Sequence, residues 1–210
     1  MITSKSLYHT NIAILFDESK FKAPDNSQFA SVFSGIEATG IRFIDNPVMN
    51  SKVLVVPHFE SRIILEGHRV RIEDESKREL QVSMLPYQLH KIKEALFDTI
   101  PIVAYGFNFD IYYRFNTLVP IKEIYSSMFK MGKSETRDVL DVGIQFTLDN
   151  QKEKYKEVWF TKVVSPLELG VHINRHFDSK KFPEIEELKD QLIKTYEEAD
   201  SIIKSFKFNV

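Results

Sequence analysis

Cysteine is absent from this chain. That excludes disulfides, thiolate metal sites and thiol catalysis together. Glycine is scarce: seven residues, scattered singly, so the chain has neither a P-loop nor a dinucleotide-binding glycine fingerprint. A long apolar run is missing from the start, where Ile12 to Phe16 is the only one. It is too short for a signal-peptide core or a membrane span. An excess of charge of either sign is missing too. Lys and Arg total 28 against 30 Asp and Glu, for a net charge of −2, so no global basic field draws in nucleic acid. Ser83, Ser126 and Ser165 stand outside any nucleophile-elbow context. These absences lead us to expect a soluble, cytoplasmic protein without cofactor or membrane partner, and a binding protein rather than an enzyme.

The chain is rich in phenylalanine, with 17 residues. The aromatic side chains concentrate in Val103 to Phe115, where Val103, Tyr105, Phe107, Phe109, Ile111, Tyr113 and Phe115 occupy every odd position. Alternation sustained this long predicts a half-buried β-strand. At about 3.3 Å per residue it crosses roughly 40 Å. Before it the pattern predicts a strand over Asn11 to Phe16. A short helix then runs through Phe29, Val32, Phe33 and Ile36, capped by Asp25, Asn26 or Ser27 and ended by Gly35 or Gly40. Strands follow at Ile41–Ile44, Lys52–Val56, Arg62–Leu65 and Arg69–Ile72, the last two a hairpin around Gly67. Leu80, Val82 and Met84 alternate as a further strand, and Pro86 opens a helix striped by Leu89, Ile92 and Leu96. After the long strand, Pro120 opens a short helix that Gly132 ends. Strands follow over Leu140–Leu148, Lys156–Val164 and Leu167–Ile173, and Pro183 opens a last, long helix.

Both halves therefore read strand, short helix, several antiparallel strands, long helix. A shift of 96 residues lays Phe29–Phe33 over Tyr125–Phe129, and Leu89, Ile92, Leu96 and Thr99 over Ile185, Leu188, Leu192 and Thr195. The strands need a different shift, 93, to bring Phe16-Asp17 over Phe109-Asp110. The fold class expected is α+β: antiparallel sheet with helices packed on one face, built from a pseudo-duplicated β-α-β(3–5)-α unit. The halves are residues 1–101 and 102–210, either as two units or as one continuous domain. This order of elements resembles the pseudo-symmetric saddle of TATA-binding proteins. A curved sheet gripping one long terminal helix also resembles the helix-grip fold. Both resemblances lie in element order and neither in motif residues, so they speak to fold alone.

The most suggestive chemistry lies on the even positions of the second-half strands. Asn108 and Asp110 share one face of the long strand with Gly106. Asp141 and Gln145 share a face with Gly143. His172, Asn174 and His176 share a face with Gly170. A glycine in a strand marks a bulge or a close approach by another backbone or a ligand. These seven polar residues are the expected binding residues, and the commoner explanation of such a face is a solvated side of an antiparallel sheet. His172 and His176 have the i,i+4 spacing of a helical metal pair. On a strand that spacing separates them by about 13 Å, so no metal site is expected. His58, Glu60, Glu66 and His68 cluster around a hairpin as solvated turn residues, and no catalytic constellation is complete. The function expected is protein binding or assembly through a polar sheet face or edge, the partner being another protein or a second copy. The alternative is a small-ligand carrier or enzyme of helix-grip type, with an apolar cavity holding a small apolar ligand.

Overall fold

Two long strands lie side by side at the centre: β1 (Ile2–Phe16) and β6 (Ile102–Phe115). The computed structural model describes residues 2–34, 40–117 and 143–205. On one side of the central pair follow β5 (Arg69–Asp74), β4 (Ser61–Glu66), β3 (Ser51–Val56) and β2 (Arg42–Asn46). On the other follow β9 (Glu168–Phe177), β8 (Tyr155–Ser165) and β7 (Gly143–Asn150). All eight pairings are antiparallel, in one nine-stranded sheet. The helices described are α1 (Asn26–Ser31), α2 (Leu85–Phe97) and α3 (Ile185–Ser205). The protein is thus a mixed α+β structure with a large antiparallel sheet and few helices.

The alternation in β6 is realised from Tyr105 to Tyr113, whose odd residues are all buried. It fails at Val103, which is 38% exposed while Ile102 and Ala104 are buried. The cause is a register shift: Leu15 pairs with Ala104 and Phe16 with Ile102, so Val103 is an extra residue bulged out of the ladder. The first strand begins at Ile2, nine residues before the expected Asn11. Its partner β6 is long enough to pair along that whole extension, from Ser4 opposite Arg114 to Phe16.

Asp25 caps α1 with its side chain on the Gln28 amide, and Gln28 returns a bond to the Asp25 amide. The helix stops at Ser31, short of the expected Ile36, which lies outside the described residues. Leu80 to Val82 forms a 3₁₀ turn where a strand was expected. Both sides of β5 are already taken, by β4 and β1, so the segment has no free edge beside the strand it follows. Leu80 alone is buried, and Val82 and Met84 are exposed. The expected helix opened by Pro120, the start of the strand at Leu140 and Phe206 also lie outside the described residues.

All three described helices send side chains to the same face of the sheet. Phe29 of α1 meets Phe43, Gln88 of α2 accepts from the Ser61 hydroxyl, and Gln191 and Asp200 of α3 accept from the Tyr105 and Tyr113 hydroxyls. One cross-strand row on this face reads Phe43, Leu54, Ile63, Ile72, Ile12, Phe107. It then runs into a buried ion cluster instead of more hydrocarbon: Arg175 opposite Phe107, and Glu157 opposite Arg175. Arg175 and Glu157 are each 2% exposed. Arg175 donates to Glu157 and Glu198 and lies 4.0 Å from the Tyr155 ring centroid, while Trp159 donates its indole N–H to Glu157. Burial alone would lower the Arg175 guanidinium, but the charges and hydrogen bonds of the two carboxylates raise it above its ordinary value.

Candidate binding surface

Because paired residues point to the same side of a sheet, the pairings place the opposite face in transverse rows. One row reads Gln145, Phe160, His172, Asp110, His9 across β7, β8, β9, β6 and β1. The next reads Thr147, Val158, Asn174, Asn108, Asn11, Glu73, Arg62 and extends into β5 and β4. Most of the expected binding residues fall into these two rows, on neighbouring strands.

Their side chains are bonded to one another. The Asn174 amide donates to Asn108, and the Asn108 amide donates to Asn11 at 2.8 Å. His172 Nδ1 lies 2.8 Å from one oxygen of Asp110, and His9 Nδ1 lies 3.3 Å from the other. A carboxylate only accepts, so each imidazole donates from Nδ1. His9 Nε2 then lies 3.9 Å from Glu73, which pairs with Arg62 at 3.0 Å and Arg71 at 3.4 Å. The polar network therefore crosses the middle of the sheet, from β9 to β4.

Burial alone would raise the Asp110 carboxyl. The hydrogen bonds from His172 and His9, with their charge, outweigh it and hold the group well below the usual carboxylate range. A depressed carboxyl contributes stability that is full above its unfolded value, about pH 4, and is lost as the pH falls further. Since Asp110 is 39% exposed, solvent screening keeps that contribution small. Asp110→Asn should flatten the acid limb of the stability curve below about pH 4 in denaturant titrations. An unchanged acid limb would show that the His–Asp–His contact does not persist in solution.

The remaining expected residues lie apart. His176 bonds Asp178 at 2.9 Å, away from the network. Gln145 is exposed and separated from His172 by Phe160. Asp141 lies outside the described residues. Of the hairpin residues, Glu60 pairs with Arg78 at 2.7 Å, while Glu66 joins the edge of the network through Arg71 at 3.2 Å.

The three glycines on this face have internal reasons. A Cβ on Gly106 would stand 2.4 Å from the Arg175 carbonyl oxygen. On Gly170 it would stand 2.9 Å from Val164 and 3.2 Å from the Tyr112 ring, and on Gly143 3.0 Å from the Phe160 ring. Gly106 therefore marks close approach by a neighbouring backbone. Gly170 and Gly143 leave room for rings of the protein itself.

His9, Asn11, Glu73 and Arg62 complete the network, and the sequence reading missed them. For His9 the signal was the length of β6, which demanded a partner strand longer than Asn11–Phe16; the other three follow only from the strand pairings. Two grooves flank the network. One, of about 310 Å³, is lined by Ala13, Arg69, Gly106, Asn174 and His176. The other, of about 260 Å³, is lined by Tyr8, Asp110, Tyr112, Phe160, Val164 and His172 among others. Among the described residues no group of three His, Asp or Glu side chains is placed to hold a metal ion. No described helix is long and apolar enough to cross a membrane.

Neither a family model nor a curated protein matches the chain. Among solved structures it is similar to Methanococcus jannaschii TBP at 10% identity, over 93% of this chain and 99% of that chain, with a TM-score of 0.38. A likeness of that size bears on neither the site nor the function.

Proposed function

We propose that this is a non-enzymatic protein-binding or assembly protein, and that its partner, another protein or a second copy, sits on the sheet face opposite the helices. The observation that carries this reading is the make-up of that face. A bonded polar network crosses its middle, and exposed apolar groups stand beside it: Tyr8 at 58%, Phe160 at 41% and Val164 at 51% exposure. Interfaces between proteins have an aromatic-enriched core and a polar rim, and here the exposed Tyr8, Phe160 and Val164 would form the core with the polar network at its rim. On the helix side the space between β6 and α3 is filled, with Phe107, Phe109, Tyr113, Leu188 and Leu192 all fully buried; a groove of about 450 Å³ lies farther out on that side, between β7, β8 and α3, and both grooves described above open on the other face.

We read residues 1–101 and 102–210 as two copies of one β-α-β-α unit sharing a continuous sheet, in a saddle-like arrangement. In each half the first strand (β1, β6) is central, the last strand (β5, β9) returns beside it, and a long helix (α2, α3) follows. Native mass spectrometry of the protein isolated from its source cells without a denaturing step tests the functional reading. The expected result is the 24.5 kDa chain carrying the added mass of another chain or of a second copy. A bare monomer throughout, including at high protein concentration, would overturn it.

A further inference from the structure

The groove beside Asp110 has a specific chemistry, and three features of the backbone make it. The first is a register shift in β1: Leu7 pairs with Ile111 but His9 with Asp110, so Tyr8 is an extra residue in the strand. Bulges re-aim side chains. Here Tyr8 and His9 both reach the open face, Tyr8 against Tyr112 at 5.5 Å between centroids and His9 against Asp110. The second is Gly170, whose missing Cβ leaves the space occupied by Tyr112 and Val164. The third is the pairing of Phe160 with His172, which sets a half-exposed ring one strand beyond the imidazole that holds Asp110. Three aromatic rings and one carboxylate therefore line a single groove of about 260 Å³.

Rings present negative faces to a cation, and a carboxylate beside them adds its full charge. The chemistry already operates on this face: the Lys77 ammonium lies 5.4 Å from the Tyr8 ring centroid. Each Asp110 oxygen accepts one imidazole hydrogen bond, which leaves a lone pair free on each. Two acceptors side by side match the fork of a guanidinium, whose plane also stacks on rings. The apolar stem of such a side chain would lie along Val164 and Phe160.

We propose that this groove takes an arginine side chain presented by a protein partner. The proposal rests on the protein-binding reading for the source of the arginine and on the groove itself for the chemistry. Lys162 also lines the groove, and its charge works against a guest cation. Its removal therefore becomes a test in the opposite direction.

The experiment is an NMR titration of the intact chain with the tripeptide Gly-Arg-Gly, following the ring signals of Tyr8, Tyr112 and Phe160. The neutral, nearly isosteric Gly-citrulline-Gly serves as control. Saturable shifts are expected with the arginine peptide, and binding about tenfold weaker with citrulline. Asp110→Asn should abolish that preference, and Lys162→Met should tighten arginine binding. Tyr112→Leu, which keeps Asp110, should weaken arginine more than citrulline. Equal binding of the two peptides, or a preference that survives Asp110→Asn, would overturn the proposal. An associated protein in mass spectrometry without arginine preference would remove this anchor and leave the binding reading standing. A bare monomer with the preference would do the reverse.

Discussion

Gly106→Ala should destabilise the protein by about 3 kcal/mol, the upper end of ordinary overpacking costs. The added Cβ would stand 2.4 Å from the carbonyl oxygen of Arg175. That oxygen belongs to the backbone of β9, where Gly106 pairs with His176, so no rotamer change relieves the contact. The strands themselves must part, at the junction between the central pair and the second arm. Gly67→Ala is the informative control. Gly67 sits in the β4–β5 turn at φ +56° with open space around its missing Cβ, so an alanine there costs only the left-handed backbone strain, about 1 kcal/mol. Urea titrations followed by the fluorescence of buried Trp159 give both numbers. Equal, small losses at the two sites would mean that β6 and β9 are not packed as closely as described.

Arg175→Met should cost about 3–5 kcal/mol, since it leaves Glu157 buried without its cation. Glu157 is 2% exposed; a groove of about 450 Å³ that it lines with Arg175 and Glu198 lets water reach the vacated space and favours the lower end of that range. Glu198, by contrast, is 36% exposed and recovers its hydration. Most of the loss should therefore be restored by the double change Arg175→Met with Glu157→Gln. The amide removes the charge and its oxygen still accepts from the Trp159 indole, as Glu157 does now at 3.0 Å. A double variant no more stable than the single one would show that the cost came from lost packing against Tyr155 and not from a stranded charge.

Much of this architecture was legible because long periodic segments announce themselves. The alternation from Tyr105 to Tyr113, the Gly67 hairpin and the spaced apolar positions of α2 and α3 all appear where the pattern put them. The misreadings have physical causes. The N-terminal part of β1, Ile2 to His9, resisted reading because the bulge at Tyr8 flips its phase. Leu7 and Lys5 face the helices with Ile12 and Ile14, although a strict alternation from Ile12 would put the even positions there. Losing that segment hid His9, and with it the second imidazole on Asp110. A strand glycine leaves a bulge, a neighbouring backbone and a ligand all open, and at Gly106 it is the neighbouring backbone that comes close. Arg175 has no mark in the sequence that sets it apart from other strand residues. Only its pairing opposite Phe107 on the helix face reveals a buried charge.

The central claim is that the face opposite the helices is where a partner sits. It is tested most directly by repeating the native mass measurement on a double variant, Phe160→Lys with Val164→Lys. Both side chains are exposed on that face and neither belongs to the polar network, so the circular dichroism spectrum should not change. Two ammonium groups in the apolar part of the contact, beside the groove proposed to take an arginine, should strip the added mass from the chain. A variant that folds normally and keeps its full added mass would place the partner elsewhere on the protein and contradict the account.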